Sequence, residues 1–431
     1  MFFLNSLSLP PLLRISFERV ENTHTQNHRR KEIIGSTCVR SKTDYTEHTK
    51  STFASSTMFG RPGNGFGSTG GAGGPAGVSN TTTNNTNIPR TFDLEGPPED
   101  CISRLRWSPL SCPIELLGVS SWDKTVRVYQ VQQPQPDQVQ SNPMAMQRHS
   151  LPVLDLSFSS DGRAFYGGCC KTAVEWNLTT NQTRQVAAHD LPVSCVEYVN
   201  NGVAQEMLIT CGWDGKVRFW DLRQQAPVKE ENLGAPIHSM DASTSPMATF
   251  ATGRKITVYN LQSMSKFSEV ESHSMVKYGL RAVANLKNHT GLLMGSSEGR
   301  VALVPLNAQA TPNLSCCFKA HCIENAPAKN HFTMFPTNFV SAHPEAAAAV
   351  SGGADGAVRV WNLSTKSRTF ELPARQHNGQ AVPCSAGALS ARGTMIGFAL
   401  SYDWSMGKEG YDRSQPRAVS ILPVNPAWLP K

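Results

Sequence analysis

Several large classes of protein need features that this sequence lacks. In 431 residues no apolar stretch approaches the roughly 20 residues a membrane-spanning helix requires. Charged residues make up 17% of the chain and hydrophobic ones 39%, while 33 Gly and 28 Pro point to many turns. The eleven cysteines are an odd number, scattered among Trp- and Val-rich segments (Cys169, Cys170, Cys195, Cys211). They read as small core residues of a reducing compartment, not as a disulfide frame. Cys316, Cys317, His321 and Cys322 cluster locally, but their spacing fits no common structural-zinc pattern, so no metal ligands are assigned. There is no Gly-rich phosphate loop with its Lys, no HExxH and no GxSxG elbow. No catalytic residue is assigned and no cofactor is implied.

Charge of one sign is also scarce where it would matter. The net charge is +7, of which residues 1–57 carry +3 and residues 58–90 carry +2 through Arg61 and Arg90, leaving +2 for residues 91–431. A nearly neutral body does not announce a nucleic-acid binder; such a role would need a local patch. The opening MFFLNSLSLPPLLRISF is apolar. No positive region precedes it, as a signal sequence would require, and two prolines interrupt the amphipathic helix of a presequence. Residues 1–57 therefore read as an unstructured leader, with Met58 as the expected physiological start. Residues 58–90, rich in Gly, Asn and Thr and carrying the pairs Phe59-Gly60 and Phe66-Gly67, cannot bury enough apolar surface to offset ordering and are expected to be disordered.

What the sequence has is a repeat. SWDKTVRVYQV (121–131) and GWDGKVRFWDL (212–222) each join a small residue, Trp-Asp, and an alternating run that ends in an aromatic. The Asp-Lys or Asp-Gly pair turns a hairpin, and the period-2 run beyond it is a half-buried strand. Asp123 and Asp214 lie 91 residues apart, two repeats of about 45, the period of a four-stranded propeller blade. GGCCKTAVEWNL (167–178), ATGRKITVYNL (251–261), GSSEGRVALVPL (295–306), GGADGAVRVWNL (352–363) and SYDWSMGKEGY (401–411) supply the other turns, which makes seven. A lone blade leaves both faces apolar, so seven must close into a ring. The predicted fold is thus an all-β, seven-bladed propeller over 91–431, with Thr91–Leu94 adding an outer strand to the last blade. The turn aspartates Asp123, Asp214 and Asp355 are expected to cap backbone N–H groups. His149 and His189 are expected to be structural hydrogen-bonding partners.

Several segments resemble the nuclear-pore mRNA export factors of the WD-repeat family, the RAE or Gle type: PPEDCISRLRWSP (97–109), HDLPVSCVEY (189–198), SPMATFATGRKITVYNL (245–261), GSSEGRVAL (295–303), CFKAH (317–321) and SYDWSMGKEGY. The spindle-checkpoint Bub-type protein is a close relative and shares the EGRVA turn. The Tyr-Asp-Trp-Ser order of the last turn favours the export branch, although Leu400 replaces a Ser and Met406 a Lys of its pattern.

The resemblance implies a non-enzymatic scaffold in the nucleus and at the nuclear pore, shuttling to the cytoplasm and docking the GLEBS segment of an FG nucleoporin. It implies Arg300 as the acid-binding arginine, Phe318 and Trp361 as an apolar slot, and Lys366 and Arg368 as basic rim positions. Cys316 stands where an aromatic is expected and Leu363 where a lysine is usual. Contact with mRNA, weak and sequence-tolerant, is the second implied function; Lys124, Arg127, Lys216, Arg218, Arg254 and Lys255 recur at or just beyond the hairpin turns and could track phosphates. The rival readings are a spindle-checkpoint adaptor that binds GLEBS-like segments of checkpoint kinases, and a ubiquitin-ligase substrate receptor.

Overall fold

A computed structural model describes residues 89–199, 206–243, 246–307, 309–324 and 332–430. The expected leader, the Met58 start, the Phe-Gly pairs and the disorder of 58–90 lie outside these residues, Pro89 and Arg90 apart.

The described residues form seven four-stranded antiparallel sheets. With strands lettered a to d outward, blade 1 comprises Ile102–Trp107, Leu116–Ser121, Thr125–Gln135 and Gln138–Arg148, and blade 2 Val153–Phe158, Arg163–Gly168, Thr172–Asn177 and Thr183–Ala188. Blade 3 comprises Val193–Val199, Met207–Gly212, Lys216–Trp220 and Lys229–Asn232, and blade 4 Ile237–Asp241, Met247–Thr252, Lys255–Asn260 and Ser265–Glu271. Blade 5 comprises Leu280–Asn285, Gly291–Ser296, Arg300–Pro305 and Cys316–Lys319, and blade 6 Thr337–Ala342, Ala348–Gly353, Val358–Asn362 and Ser367–Leu372. Blade 7 takes strands a to c from Cys384–Leu389, Met395–Leu400 and Ala418–Pro423, and its outermost strand from Phe92–Asp93, with Phe92 opposite Ile421. Each a strand packs against the next, and that of blade 7 against that of blade 1, so the ring is closed.

Burial follows from this geometry. The b strands are sandwiched on both faces and buried throughout in blades 1, 3, 5, 6 and 7, whereas d strands such as Thr183–Ala188 are largely exposed. The cores therefore lie between blades rather than within them: Val301, Leu303 and Trp361 share one cluster, and Ala302, Ile256 and Val258 the next. In the b–c turns the residue after the Asp or its equivalent takes left-handed backbone. It is Gly215, Gly299 or Gly356 in blades 3, 5 and 6, but Lys124 (φ 71°) and Lys171 (φ 66°) in blades 1 and 2.

The channel wall holds a buried charge network. Arg106 lies 3.2 Å from both Asp155 and Glu197, and Asp155 also accepts from the Val196 N–H at 3.1 Å. Burial outweighs the attraction of Arg106 and pushes the Glu197 carboxyl up to about 7. A folded-state value above the unfolded one means proton uptake on folding between the two, so this group adds stability as pH falls from about 8 to 5. Urea midpoints at pH 5, 6.5 and 8 should show Glu197→Gln losing that trend, a difference on the order of 2 kcal/mol across the window. Parallel pH profiles for variant and parent would refute the assignment.

Candidate peptide-docking face

The d–a connections and b–c turns share one end of the ring, here the upper face. There the channel mouth opens into a cavity of about 190 Å³ lined by Trp122, Trp213, Tyr402, Trp404, Arg281 and Asp403, among others. The three Trp side chains are half-buried, so their rings rim the opening. Among the described residues, seven of the thirteen exposed large apolar side chains lie on the same face: Leu151, Leu191, Met275, Tyr278, Ile323, Met334 and Met406. A soluble surface gathers so much apolar area on one face mainly where something docks.

The repeat geometry explains why the tryptophans stand there. Each WD turn commits its Asp to the structure: Asp123 accepts from the N–H groups of Thr125 (2.8 Å) and Glu99 (3.0 Å), and Asp214 from those of Lys216 and Asp190 (3.1 Å each). In blade 3, Asp214 also lies 3.0 Å from His189 Nδ1, while His189 Nε2 meets the Thr210 hydroxyl at 2.9 Å and Trp220 Nε1 donates to that hydroxyl at 2.8 Å. Blade 6 repeats the chain with Asp355, His321 (2.8 Å), Ser351 (3.0 Å) and Trp361 (2.9 Å). His321 is thereby consumed by the fold. With the Asp held inward, the preceding residue of the turn projects outward, and in blades 1 and 3 it is Trp.

The structure divides the residues that the resemblance implies as a single slot. Phe318 and Trp361 do meet, with ring centroids 4.4 Å apart, at the junction of blades 5 and 6. Arg368 lies opposite Trp361 in register and is ion-paired with Glu371; Lys366, in the c–d turn at the lower end, donates to the Asn313 carbonyl at 3.3 Å. These four form a flank between blades 5 and 6. Arg300 does not join them. It pairs in register with Lys319, whereas Phe318 pairs with Val301, so strand alternation sends Arg300 and Phe318 to opposite faces of blade 5. Cys317, on the Arg300 side, belongs to the core facing blade 4, and Phe318 to the core facing blade 6.

Arg300 instead stands at the upper edge of blade 5, half-buried and in no ion pair among the described residues. Arg281, at the upper end of the same blade's a strand, is likewise in none. Burial lowers the Arg281 pKa, against the pull of Asp403, and burial together with Arg281 takes His238 down to about 4, so that His238 is neutral at pH 7. Two guanidinium groups in no ion pair among the described residues thus stand at the upper end of blade 5, Arg281 lining the cavity and Arg300 farther out. Sequence reasoning missed Arg281 and the Trp rim. The rim had a signal, since Trp122 and Trp213 open the two clearest repeats; Arg281 had only an inward place on an alternating strand.

The six cations proposed to track phosphate are mostly occupied. Arg127 pairs with Asp123 (3.3 Å), Lys216 with Asp190 (3.0 Å), Arg218 with Glu230 (2.6 Å), and Lys255 with Glu269. Lys124 and Arg254 are exposed and in no ion pair among the described residues.

Comparison with known proteins agrees with this architecture. Residues 180–221 match the family model described as WD domain, G-beta repeat. Among solved structures the chain resembles that of U3-55K, with a TM-score of 0.60 and 16% identity over 79% of this chain and 99% of that one, a likeness of fold alone. It is 32% identical over 349 residues to the poly(A)+ RNA export protein of Schizosaccharomyces pombe, covering 80% of this chain and 93% of that protein. It is 31% identical over 349 residues to the mRNA export factor GLE2 of Chaetomium thermophilum (80% and 94%), and 31% identical over 345 residues to protein Rae1 of Drosophila melanogaster (79% and 95%). With this identity sustained over almost the whole of those proteins and over seven closed blades, the chain belongs to the Rae1/Gle2 family of WD-repeat mRNA export factors.

Proposed function

We propose that this protein is a non-enzymatic scaffold of nuclear mRNA export that docks the GLEBS segment of an FG nucleoporin on its upper face, at the nuclear pore, and contacts RNA weakly. The observation that carries this reading is the aromatic rim of Trp122, Trp213 and Trp404 around Arg281, with Arg300 on the same face at the edge of blade 5; neither guanidinium has a carboxylate partner among the described residues. Apolar rings supply desolvation energy to a peptide, and a planar guanidinium fork takes a glutamate in bidentate fashion. RNA contact follows as weak, because four of the six candidate cations are already neutralised within the fold and the body is nearly neutral. The flank of Phe318, Trp361, Lys366 and Arg368 is a second apolar-basic surface and suits a separate part of the same partner, or the RNA.

Calorimetric titration of the full chain with a synthetic GLEBS hairpin tests the docking. Trp122→Ala should weaken binding at least thirtyfold, the scale of an interface hot spot of about 2 kcal/mol. Arg300→Glu should weaken it at least as much, with thermal unfolding nearly unchanged. Unaltered affinity in both variants would dismiss the docking face. Affinity purification from interphase and mitotic cells adds the second readout: recovery of checkpoint kinases without FG nucleoporins would favour the checkpoint adaptor instead.

A further inference from the structure

The b–c turns of blades 1, 3, 6 and 7 place Asp123, Asp214, Asp355 and Asp403 at one equivalent position, and blade 2 places Cys170 there. Its surroundings are altered to match. Tyr166 occupies the place that Thr210 and Ser351 hold in blades 3 and 6. It meets His149 and Trp176 edge-on, with ring centroids 5.7 and 6.4 Å away, so the hydroxyl link between His and Trp is missing. His149 is turned accordingly. Its Nδ1 accepts from the Ser150 N–H at 2.9 Å, which leaves the hydrogen on Nε2, and Nε2 faces the Cys170 sulfur at 3.6 Å. The Thr172 hydroxyl stands 3.2 Å from the same sulfur. Where two other blades bury an Asp–His pair, blade 2 has built a Cys–His–Thr cluster, half-buried and open to the upper face.

We propose that Cys170, held between His149 Nε2–H and the Thr172 hydroxyl, is a thiol-modification site that takes small oxidants of the hydroperoxide class. As a thiol, Cys170 donates to the Thr172 carbonyl at 3.5 Å; as a thiolate it accepts from His149 Nε2–H and from the Thr172 hydroxyl, and these two contacts favour the anionic form. Burial alone would raise the Cys170 pKa, but the hydrogen bonds from His149 and Thr172 outweigh it and bring the thiol to about 7. The other titratable groups facing it, Cys169 and Tyr166, are driven the opposite way by burial, to about 11 and 12. In the reaction the thiolate attacks one oxygen of hydrogen peroxide. An S–O bond forms and the O–O bond breaks; the sulfur gives up two electrons to the leaving oxygen, which takes a proton from solvent and departs as water. The product is the sulfenic acid of Cys170.

The expected advantage is modest and measurable. At pH 7 a thiol with a pKa of about 7 is half ionised against about 1% at pKa 9, and its lower basicity costs about eightfold in nucleophilicity, leaving roughly a five- to tenfold faster reaction. The full chain is labelled with iodoacetamide between pH 5.5 and 9.5, each cysteine is quantified by mass spectrometry, and a second sample is treated with hydrogen peroxide and trapped with dimedone. Cys170 should label with a midpoint near pH 7, five- to tenfold faster at pH 7 than the part-exposed Cys112 and Cys316, and should carry the first dimedone adduct. His149→Gln should raise the midpoint by at least one pH unit, and Thr172→Ala should do the same if the His149 variant does not fold. Cys170→Asp, which restores the residue of blades 1, 3, 6 and 7, should keep the fold and remove the adduct. A midpoint above pH 8.5, or peroxide that modifies other cysteines before Cys170, would overturn the assignment.

Discussion

Replacing Asp355 by Ala should cost about 3 kcal/mol of stability, more than almost any other turn substitution in the ring. Asp355 accepts from His321 Nδ1 at 2.8 Å, from Arg359 at 2.6 Å and from the Ala357 N–H at 3.3 Å. Burial would raise its pKa, yet the hydrogen bond and charge of His321, with Arg359 behind them, hold it below the ordinary carboxylate range. Removal of the carboxylate strands two buried groups at once. His321, wholly inaccessible, loses its carboxylate partner, and Arg359, 7% exposed, keeps Glu371 at 2.8 Å and the His321 ring nitrogen at 2.7 Å. Stranding buried charged partners costs roughly 3–5 kcal/mol, and the residual Glu371 contact puts this case at the lower end. Urea unfolding measures it directly. Cys170→Ala in blade 2, which removes no carboxylate, should cost less than about 1 kcal/mol. Equal shifts for the two variants would show that the Asp–His–Ser–Trp chain contributes little.

Opening the ring should be as damaging. A chain beginning at Pro89 keeps the strand Phe92–Asp93; one beginning at Glu95 loses it. Leu94, 4% exposed, sits in the core shared by blades 7 and 1 with Leu117, Val119 and Ile421, and its N–H donates to the Val419 carbonyl at 2.8 Å. Asp93 pairs with Arg375 at 2.6 Å and accepts from the Ser420 hydroxyl at 2.6 Å. Loss of the burial of Leu94 and of the half-buried Phe92 alone costs about 2–4 kcal/mol. The bare c strand of blade 7 then presents unpaired backbone to other chains. The shorter chain should therefore unfold at a lower midpoint, over a broader transition, and with a tendency to self-associate in light scattering. Superimposable unfolding curves would show that the outer strand is dispensable.

Much of the fold was legible because propeller physics is local. The Trp-Asp-Lys and Trp-Asp-Gly turns, the alternation of Val126 and Val128 with Thr125 and Arg127, and the 91-residue separation of Asp123 and Asp214 define a blade within about 45 residues. The closing strand was legible too, because one four-residue segment, Thr91–Leu94, precedes the first a strand with a strand pattern and no partner of its own. The candidate docking face was legible only in part. Arg300 and Phe318 lie on different strands, and whether they share a face depends on the register Val301↔Phe318, which is set by the loop between strands c and d and not by either strand's own pattern. His149 and His189 precede their a strands in the same way, yet one meets a thiol and the other a carboxylate, because the partner comes from the following b–c turn.

The sequence by itself determined the repeat, the number of blades, the closure and the family, since each rests on contacts between residues close along the chain or on periodicity that survives without coordinates. Tertiary structure alone decided which side chains share a surface at the channel mouth: Trp122 with Trp213, Trp404 and Arg281. That grouping arises when blades from distant parts of the chain are brought around one axis, and the sign of each side chain, inward or outward, is fixed by cross-strand register rather than by residue type.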